Sequence, residues 1–285
     1  MTAGLPRVLT DDLVRAALQE DLGRAGDVTT TAIARPGQHA SADLVAREAG
    51  VVAGLDLAIR AFEFLDPALT VGGARPDGTR VAPGDVLARV SGEARALLGA
   101  ERVALNFCSH LSGVATATAE LVEAVRGTSC RITCTRKTTP GLRAVEKAAV
   151  RAGGGNNHRF GLDDAVLVKD NHVLLAGGVK EAVRRVREGL GHLTPIAVEV
   201  DTLAELRELL ADPVDVVLLD NMEPATLREA VALVDGRMVT EASGRITAET
   251  APAIAATGVD VISAGWLTHS APILDIGLDL HLSAT

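Results

Sequence analysis

The chain of 285 residues contains no tyrosine, and aromatic residues make up only 2% of it. Aromatic platforms on which the bases of single-stranded nucleic acids stack are therefore not expected. The formal net charge of −9 also argues against binding to a phosphate backbone, which requires a cationic surface. We expect no nucleic-acid partner.

Long apolar runs are also missing. No uninterrupted run reaches the ~18 apolar residues that a membrane span needs. The opening residues, MTAGLPRVLTDDL, lack the basic stretch and following apolar stretch of a secretory signal. These features predict a cytoplasmic protein without a membrane partner.

Cysteine is scarce, with only Cys108, Cys130 and Cys134 in the chain. An odd and sparse set favours free thiols in a reducing compartment over a disulfide framework. Cys130 and Cys134 fall on one predicted strand, where their side chains would lie about 13 Å apart. That distance is too long for a shared metal ion, so we interpret the cysteines as structural.

Positive charge is concentrated in one segment of this acidic chain. Residues 131–172 carry eight Lys or Arg and four Asp or Glu, a net charge of +4, so the remainder carries −13. The segment contains Arg136 and Lys137 after one predicted strand, a Gly153–Gly155 turn and then His158 and Arg159. A cationic island in an acidic protein indicates a small, multiply anionic substrate.

The first part of the chain reads as a helix followed by short strands. A helix is predicted to begin with an N-cap at Thr10 and to end at Gly23. From residue 41 to 92, short apolar runs alternate with Gly and Pro turns, with an inserted helix over Leu57–Asp66 and a hairpin over Val81–Val90. This pattern predicts a small α+β domain with an antiparallel sheet.

Few breakers occur from Glu93 to Arg126, where apolar residues recur at helical spacing. One or two long helices are predicted here, with an interruption near Ser112-Gly113. We expect this segment to lead from the first domain into the second.

Strands and helices alternate from Cys130 onward. The predicted strands are Arg131–Cys134, Ala165–Val168, Ile196–Val200, Val214–Leu219, Met238–Glu241 and Val259–Ala264. The predicted helices are Gly141–Ala152, Val179–Gly189, Leu203–Ala211, Ala225–Val234 and Ala248–Thr257. Repeated βα units imply a parallel sheet with both faces covered, which suits a barrel or an open doubly wound sheet.

Polar residues at the ends of these strands favour the barrel. They are Arg136 and Lys137, Lys169, Glu199, Asp220, Glu241 with Ser243, and Gly265. In a barrel, the carboxyl ends of the strands surround one mouth, where enzymes of this architecture build their sites. In an open sheet the same residues would spread along a line.

The charges of these residues suggest how such a mouth would bind a phosphorylated sugar. Arginine forks suit carboxylates and phosphates, while acids suit sugar hydroxyls or Mg²⁺. Backbone amides after the last two strands could hold a phosphate. A Schiff base on Lys169, as in aldolase-type barrels, is a second hypothesis that the residues leave open.

The chain resembles the quinolinate phosphoribosyltransferases, also called nicotinate-nucleotide pyrophosphorylases (carboxylating). The resemblance is carried, in order along the chain, by ERVALN with LSGVAT, TRKTTPGLR, EKAAVRAGGGNNHRFGLDD, VKDNH, VEVD, LLDNM, EASG and LTHS with LDIGLDL. It implies an incomplete α/β barrel with an N-terminal α+β sandwich domain. The implied domains are 1–112, to which a tail of residues 270–285 returns, and 113–269.

The resemblance also implies a reaction and its participants. Quinolinate and phosphoribosyl pyrophosphate would give nicotinate mononucleotide, pyrophosphate and CO₂, with Mg²⁺ as cofactor, in de novo NAD synthesis. The enzyme would be a homodimer or larger, with Arg102 supplied across the interface.

Residue roles follow from the matched motifs. Catalytic roles fall on Lys137, Lys169, Glu199 and Asp220. The quinolinate carboxylates would be held by Arg102, Arg136, His158 and Arg159. Glu199 and Asp220 would bind the ribose hydroxyls and, directly or indirectly, the metal. The remaining substrate-binding positions are Thr135, Ser243, Gly244, Arg245, Ala264, Gly265 and Trp266.

Three positions depart from the family pattern. Cys134 replaces an acid, Arg245 a common glycine, and Trp266 a usually small residue. The alternatives to be tested are a paralogous phosphoribosyltransferase-like pyrophosphorylase with another substrate, a Schiff-base lyase using Lys169, and a non-catalytic metabolite sensor.

Overall fold

The computed structural model describes residues 5–282. The predicted N-terminal domain (1–112) and C-terminal tail (270–285) include residues 1–4 and 283–285, which lie outside the described residues. The helices are α1 (Arg7–Leu22), α2 (Val28–Ile33), α3 (Leu55–Leu65), α4 (Ala94–Ala124), α5 (Arg143–Ala152), α6 (Asp170–Ala176), α7 (Val179–Gly189), α8 (Leu203–Leu209), α9 (Pro224–Val234), α10 (Ala251–Ala255) and α11 (Trp266–His269). The strands are β1 (His39–Ala46), β2 (Gly50–Val51), β3 (Thr70–Gly72), β4 (Arg80–Val81), β5 (Val86–Glu93), β6 (Arg131–Thr133), β7 (Val166–Val168), β8 (Ile196–Val200), β9 (Val216–Asp220), β10 (Val239–Ser243), β11 (Val261–Ser263) and β12 (Ile276–Leu282).

The described chain divides into two compact units. The first takes its residues from Met1–Ala119, Thr138–Gly154 and Leu267–Thr285, and the second from Glu120–Lys137 and Gly155–Trp266. The sequence boundary predicted between residues 112 and 113 stays a prediction. The units interleave along the chain because α5 and the C-terminal segment belong to the first.

The first unit contains an antiparallel four-stranded sheet in the order β12-β1-β5-β3. Strand β12, close to the end of the chain, pairs with β1 over seven residues, from Ala40 opposite Leu282 to Ala46 opposite Ile276. Asp43 on β1 lies opposite Arg89 on β5, and the guanidinium grips the carboxylate with two hydrogen bonds of 2.6 and 2.7 Å. This bidentate pair lowers the pKa of Asp43.

Two N-terminal predictions were wrong. Helix α1 begins at Arg7 rather than after Thr10, because the Thr10 hydroxyl does not cap it but donates to the carbonyl of Arg7 within the helix at 3.3 Å. Asp11, in the same turn, forms a bidentate ion pair with Arg60 of α3. The predicted hairpin over Val81–Val90 does not form. Strand β4 pairs with β2, while β5 is already flanked by β1 and β3 and has no free edge for β4.

The predicted interruption near Ser112-Gly113 is also absent, because α4 is one continuous helix. A Cβ at Gly113 would lie 2.0 Å from the carbonyl oxygen of Pro272. The glycine therefore permits a close approach of two backbones rather than breaking the helix.

The second unit is built on a parallel six-stranded sheet in the order β6-β11-β10-β9-β8-β7. Strands that are consecutive in the chain from β7 to β11 are neighbours in the sheet, and β6 pairs with β11. A pairing between β6 and β7 would close the sheet into a barrel, and no such pairing is found in residues 5–282. An incomplete α/β barrel has this topology, as predicted. All six predicted strands of this part are confirmed, and so are the five helices predicted between them.

Alternation along the strands sends different side chains to the two faces of the sheet. In β8 the residues Ile196, Val198 and Val200 are buried, while Ala197 and Glu199 lie on the other face.

The short helices α2, α6 and α11 were not predicted. Helix α6, for example, has no buried residue and hence no apolar periodicity to reveal it.

The cysteines are free and buried, as predicted. Burial raises the pKa of the Cys130 thiol to about 11, which makes it a poor nucleophile. No helix in residues 5–282 has the length and apolarity needed to span a membrane.

Candidate active site

Contacts in the second unit link the carboxyl ends of neighbouring barrel strands. We call the linked residues the strand-end cluster, defined as Lys169, Glu199, Asp220, Glu241, Ser243 and Gly265. Lys169, which directly follows β7, hydrogen-bonds to Glu199 on the neighbouring strand β8. Ser243, at the end of β10, hydrogen-bonds to Asp220 at the end of β9. The polar ends of β7 to β10 therefore meet in two pairs at the carboxyl edge of the sheet, as the barrel interpretation requires.

Two arginines form the cationic side of the site. The buried Nε atoms of Arg136 and Arg159 have no hydrogen-bond partner among the described residues. Burial lowers the pKa of Arg159, and the positive charge of Arg136 lowers it further. Nη1 of Arg159 donates to the carbonyl of Ala165 at 2.9 Å, but both buried Nε donors lack an acceptor. Two guanidiniums that repel each other and each keep an unused donor form a ready site for an anion with more than one acidic group.

His158 lies beside these arginines. Its Nδ1 accepts a hydrogen bond of 2.8 Å from the backbone N–H of Arg159. In the neutral ring Nε2 must therefore carry the proton. This nitrogen lies 3.6 Å from Oε1 of Glu241.

Lys169 and Glu199 form an ion pair, with 2.6 Å between Nζ and Oε2. The lysine precedes α6, where its backbone N–H donates to Nδ1 of His172 at 2.9 Å. The carboxylate of Glu199 therefore engages the amine of Lys169 directly. This geometry disfavours the Schiff-base hypothesis, which needs a neutral lysine as nucleophile.

Asp220 is held at the end of β9 by its neighbours. Its carboxylate accepts hydrogen bonds from the Ser243 hydroxyl, at 2.6 Å, and from the Asn221 amide. Gly244 follows Ser243 with φ of 96°, and a Cβ there would lie 2.2 Å from Oδ1 of Asn221. Only glycine fits this position, so the backbone amides after β10 can approach a ligand closely.

The loop after β11 approaches the segment after β6. A Cβ at Gly265 would lie 2.7 Å from Cδ of Lys137 and 3.2 Å from Oγ1 of Thr135. The Thr135 hydroxyl also accepts the backbone N–H of Lys137 at 3.0 Å. The absence of a Cβ at Gly265 therefore leaves room for the side chain of Lys137 to pack against the loop after β11.

The departures Trp266 and Arg245 have structural explanations. The indole N–H of Trp266 donates to the carbonyl of Ile246 at 2.8 Å, which ties the loops after β10 and β11 together. Arg245 adopts φ of 51°, the left-handed conformation that glycine would adopt without strain. Ala264, between these loops, is buried.

Acidic groups gather on the other side of the rim. Burial raises the pKa of the Asp201 carboxyl, and nearby Glu205, Asp220 and Asp170 raise it further, whereas Lys169 lowers it. No group of three or more His, Cys, Asp or Glu side chains in residues 5–282 is arranged to hold a metal ion. The acids therefore form a negative surface rather than a complete metal cage.

Glu241 is the residue to which the sequence assigned no role beyond its strand-end position. It is only 5% exposed, and its Oε1 has no hydrogen-bond partner within the described chain. Burial raises its pKa to about 7, and Glu199 contributes to the rise. The available signal was an acid inside the strand VTEAS, the same signal that singled out Glu199 in IAVEV.

Arg102 lies on α4 in the first unit, and its side chain is 64% exposed. Its nearest charged neighbour is Glu101, at 3.9 Å. None of the contacts that define the strand-end cluster involves it.

Comparisons with known proteins agree with this architecture. Residues 114–279 match the family model for the quinolinate phosphoribosyl transferase C-terminal domain, and residues 27–112 match the model for the N-terminal domain.

Curated relatives span nearly the whole chain. The probable nicotinate-nucleotide pyrophosphorylase (carboxylating) of Bacillus subtilis is 45% identical over 264 residues, which cover 93% of this chain and 91% of the relative. The corresponding Mycobacterium leprae protein is 47% identical over 277 residues, covering 94% and 96%. A solved nicotinate-nucleotide pyrophosphorylase from Ehrlichia chaffeensis superposes with a TM-score of 0.92 at 37% identity, covering 99% and 100%.

Proposed function

The chain belongs to the quinolinate phosphoribosyltransferase family, and from this premise we propose how its strand-end cluster carries out the reaction. The enzyme transfers the phosphoribosyl group of phosphoribosyl pyrophosphate to quinolinate with decarboxylation. The products are nicotinate mononucleotide, pyrophosphate and CO₂, in de novo NAD synthesis.

The observation that carries the proposal is the pair of buried Nε atoms, in Arg136 and Arg159, that have no acceptor among the described residues. Quinolinate has two adjacent carboxylates on a flat ring, and each would satisfy a guanidinium that has no acceptor at Nε. The Nε2–H of His158 adds a third donor. Charge-assisted hydrogen bonds of this kind contribute about 1.5–3 kcal/mol each, enough to offset the repulsion between the arginines.

The acidic half suits the sugar. Glu199 and Asp220 would accept hydrogen bonds from the ribose hydroxyls, since each carboxylate retains lone pairs beyond those used by its present partners. Lys137 and Lys169 would contact the pyrophosphate and the substrate. The 5′-phosphate would be bound by backbone amides and side chains of Thr135, Ser243, Gly244, Arg245, Ala264, Gly265 and Trp266.

These positions support a simple mechanism. The ring nitrogen attacks the anomeric carbon while pyrophosphate departs, and the sugar passes through a state with positive charge. Glu199 and Asp220 stabilise that charge, while the lysines stabilise the leaving group. The carboxylate next to the nitrogen then leaves as CO₂, because the ring nitrogen is now cationic. The protein contributes chiefly the alignment of the two substrates.

A Mg²⁺ ion fits the acidic half as a companion of phosphoribosyl pyrophosphate. Mg²⁺ in phosphate-binding sites commonly takes only one or two carboxylates, together with substrate oxygens and water. Asp220 and Glu199 are the proposed protein ligands, either directly or through water. The pKa of Asp201 is raised first by burial and then by nearby Glu205, Asp220 and Asp170, whose negative charge a divalent cation would offset. When bound, the ion would neutralise the phosphates.

The homodimer and the cytoplasmic location remain proposals. The exposure of Arg102 is compatible with service to a partner subunit, because its guanidinium has no strong partner of its own among the described residues. A guanidinium supplied in this way would add a further donor for the quinolinate carboxylates.

The test is an assay of CO₂ release that depends on both quinolinate and phosphoribosyl pyrophosphate. We expect release from quinolinate and no turnover of nicotinate, since a monocarboxylate leaves one of the paired arginines without its anion. Turnover of nicotinate in preference to quinolinate would identify a paralogue with another substrate. Absence of pyrophosphate release with any substrate would instead indicate a metabolite sensor.

A further inference from the structure

Glu241 is buried in the barrel, yet one of its carboxylate oxygens has no hydrogen-bond partner within the described residues. It lies on β10, two residues before Ser243, so its side chain lies on the face of the strand that carries Ser243 to Asp220. Buried polar atoms without partners are rare in native proteins, and each requires an explanation.

The surroundings of Glu241 place it beside the proposed quinolinate site. Nε2 of His158 lies 3.6 Å from the unpartnered Oε1, just beyond hydrogen-bond distance. Ser263 on the adjacent strand β11 hydrogen-bonds to the carboxyl group. Glu199 and Lys169 are the other charged groups that act on it, and they act in opposite directions.

Burial sets the protonation behaviour of this group. The pKa of Glu241 is raised to about 7, chiefly by burial and also by Glu199, against the lowering effects of Ser263 and Lys169. A dianion bound at His158 and Arg159 would bring two more negative charges close to the carboxylate. Like charges favour the protonated acid, so binding of the substrate would draw a proton onto Glu241.

We propose that Glu241 takes up a proton as quinolinate binds and donates it to the pyridine ring after decarboxylation. The proposal rests on the function proposed above. When the bond between ring carbon 2 and the carboxylate breaks, CO₂ leaves and the electron pair remains on carbon 2. The Glu241 carboxyl proton moves to this carbon, a C–H bond forms, and Glu241 becomes a carboxylate that solvent reprotonates. Nicotinate mononucleotide cannot form without this proton.

Other nearby donors fit the role less well. Lys169 is held by Glu199 at 2.6 Å and its side chain is 46% exposed. His158 is assigned to the substrate carboxylates, and its Nε2 also lies 3.6 Å from Oε1 of Glu241. An acid that titrates near neutral pH is matched to proton donation under physiological conditions.

Proton uptake can be measured directly on the wild-type enzyme. Quinolinate is titrated without phosphoribosyl pyrophosphate at pH 7.5 by calorimetry, in two buffers that differ in ionisation enthalpy. In a second titration phthalate replaces quinolinate, with phosphoribosyl pyrophosphate present. Phthalate has the same adjacent carboxylates but lacks the ring nitrogen that attacks the sugar, so binding is measured without turnover. We expect net uptake of a fraction of a proton per site, because Glu241 is partly ionised near neutral pH. Binding without any proton uptake would overturn the proposal.

Glu241→Gln isolates the group responsible. The variant should bind quinolinate with no proton uptake and with an affinity that stays flat between pH 6.5 and 8.5. The wild-type affinity should fall towards tenfold per pH unit above 7. Glu249→Gln, at an exposed position after β10, is the control and should behave like the wild type. Equal proton uptake by Glu241→Gln and the wild type would refute the assignment to this residue.

Single-turnover kinetics test the second half of the proposal. Formation of nicotinate mononucleotide by Glu241→Gln should slow by about 100-fold, with quinolinate affinity at pH 6.5 retained. Glu241→Asp keeps an acid and should recover part of the rate. An unchanged rate in Glu241→Gln would refute proton donation but leave the proposed function intact. Failure of the wild type itself to release CO₂ would instead refute that function.

Discussion

Replacement of Arg136 by alanine should affect substrate binding and protein stability in opposite directions. The side chain has a buried Nε without a partner among the described residues, and its charge lowers the pKa of Arg159. In the free enzyme, therefore, Arg136 contributes repulsion and an unsatisfied donor. In the complex it would hold one carboxylate of quinolinate.

The two magnitudes can be estimated separately. Loss of a buried charge-assisted contact to a carboxylate costs about 3 kcal/mol, equivalent to a rise in KM for quinolinate of about 100-fold. Relief of the repulsion offsets the loss of packing by the arginine stem. We expect the free energy of unfolding of the free enzyme to stay unchanged or to increase by about 1 kcal/mol, as occurs when strained sites are relieved.

The assay combines steady-state kinetics with urea unfolding of the free enzyme. KM for phosphoribosyl pyrophosphate should change little, because Arg136 is assigned to the other substrate. Arg131→Ala is the matched control, since Arg131 lies at the opposite end of β6 and is exposed. An unchanged KM for quinolinate in Arg136→Ala would refute the assigned role. A large loss of stability would show that the arginine is structural.

Three further perturbations test other parts of the structure. Arg102→Ala should inactivate the enzyme, and mixing it with a Lys137→Ala variant should restore part of the activity; no recovery in mixed dimers would count against a shared site. The pKa of Glu241 is about 4.5 in the unfolded chain and about 7 in the folded protein. The free energy of unfolding that it contributes is therefore fully present below pH 4.5 and is lost as the pH rises through about 7, a loss of at most about 3 kcal/mol. Glu241→Gln should therefore gain stability relative to the wild type between pH 5 and 8 in urea titrations, and a constant difference would contradict the raised pKa. Gly113→Ala should lose at least about 2 kcal/mol, because its Cβ would collide with the Pro272 carbonyl; unchanged stability in thermal unfolding would show that this segment relaxes easily.

The barrel was predictable because its signals are local. Apolar strands such as IAVEV and VVLLD each carry an acid at the last or second-last position, and the repetition of that pattern indicated one rim. The cationic island likewise indicated an anion site before any contact was known. These features depend on residue type and periodicity, which the sequence displays directly.

The partners of the site residues were not predictable in the same way. Asp220 meets Ser243 because β9 and β10 pair in a particular register, and Lys169 meets Glu199 across two other strands. The local cues also misled at Gly113, where a helix breaker proved to be a point of close packing. Such contacts depend on the assembled sheet rather than on neighbouring residues.

The gap in the barrel has a consequence for how this protein could acquire other specificities. On the side of β6 away from β11, the backbone hydrogen bonds found within residues 5–282 are those of Asn156, whose N–H donates to Ile132 and whose carbonyl accepts from Cys134. That residue begins the segment that carries His158 and Arg159. One segment of chain thus pairs with the edge of the sheet and, in the proposed function, also holds the carboxylates of quinolinate. Its exchange could alter which nucleobase precursor is accepted while the sugar-handling half stays as it is.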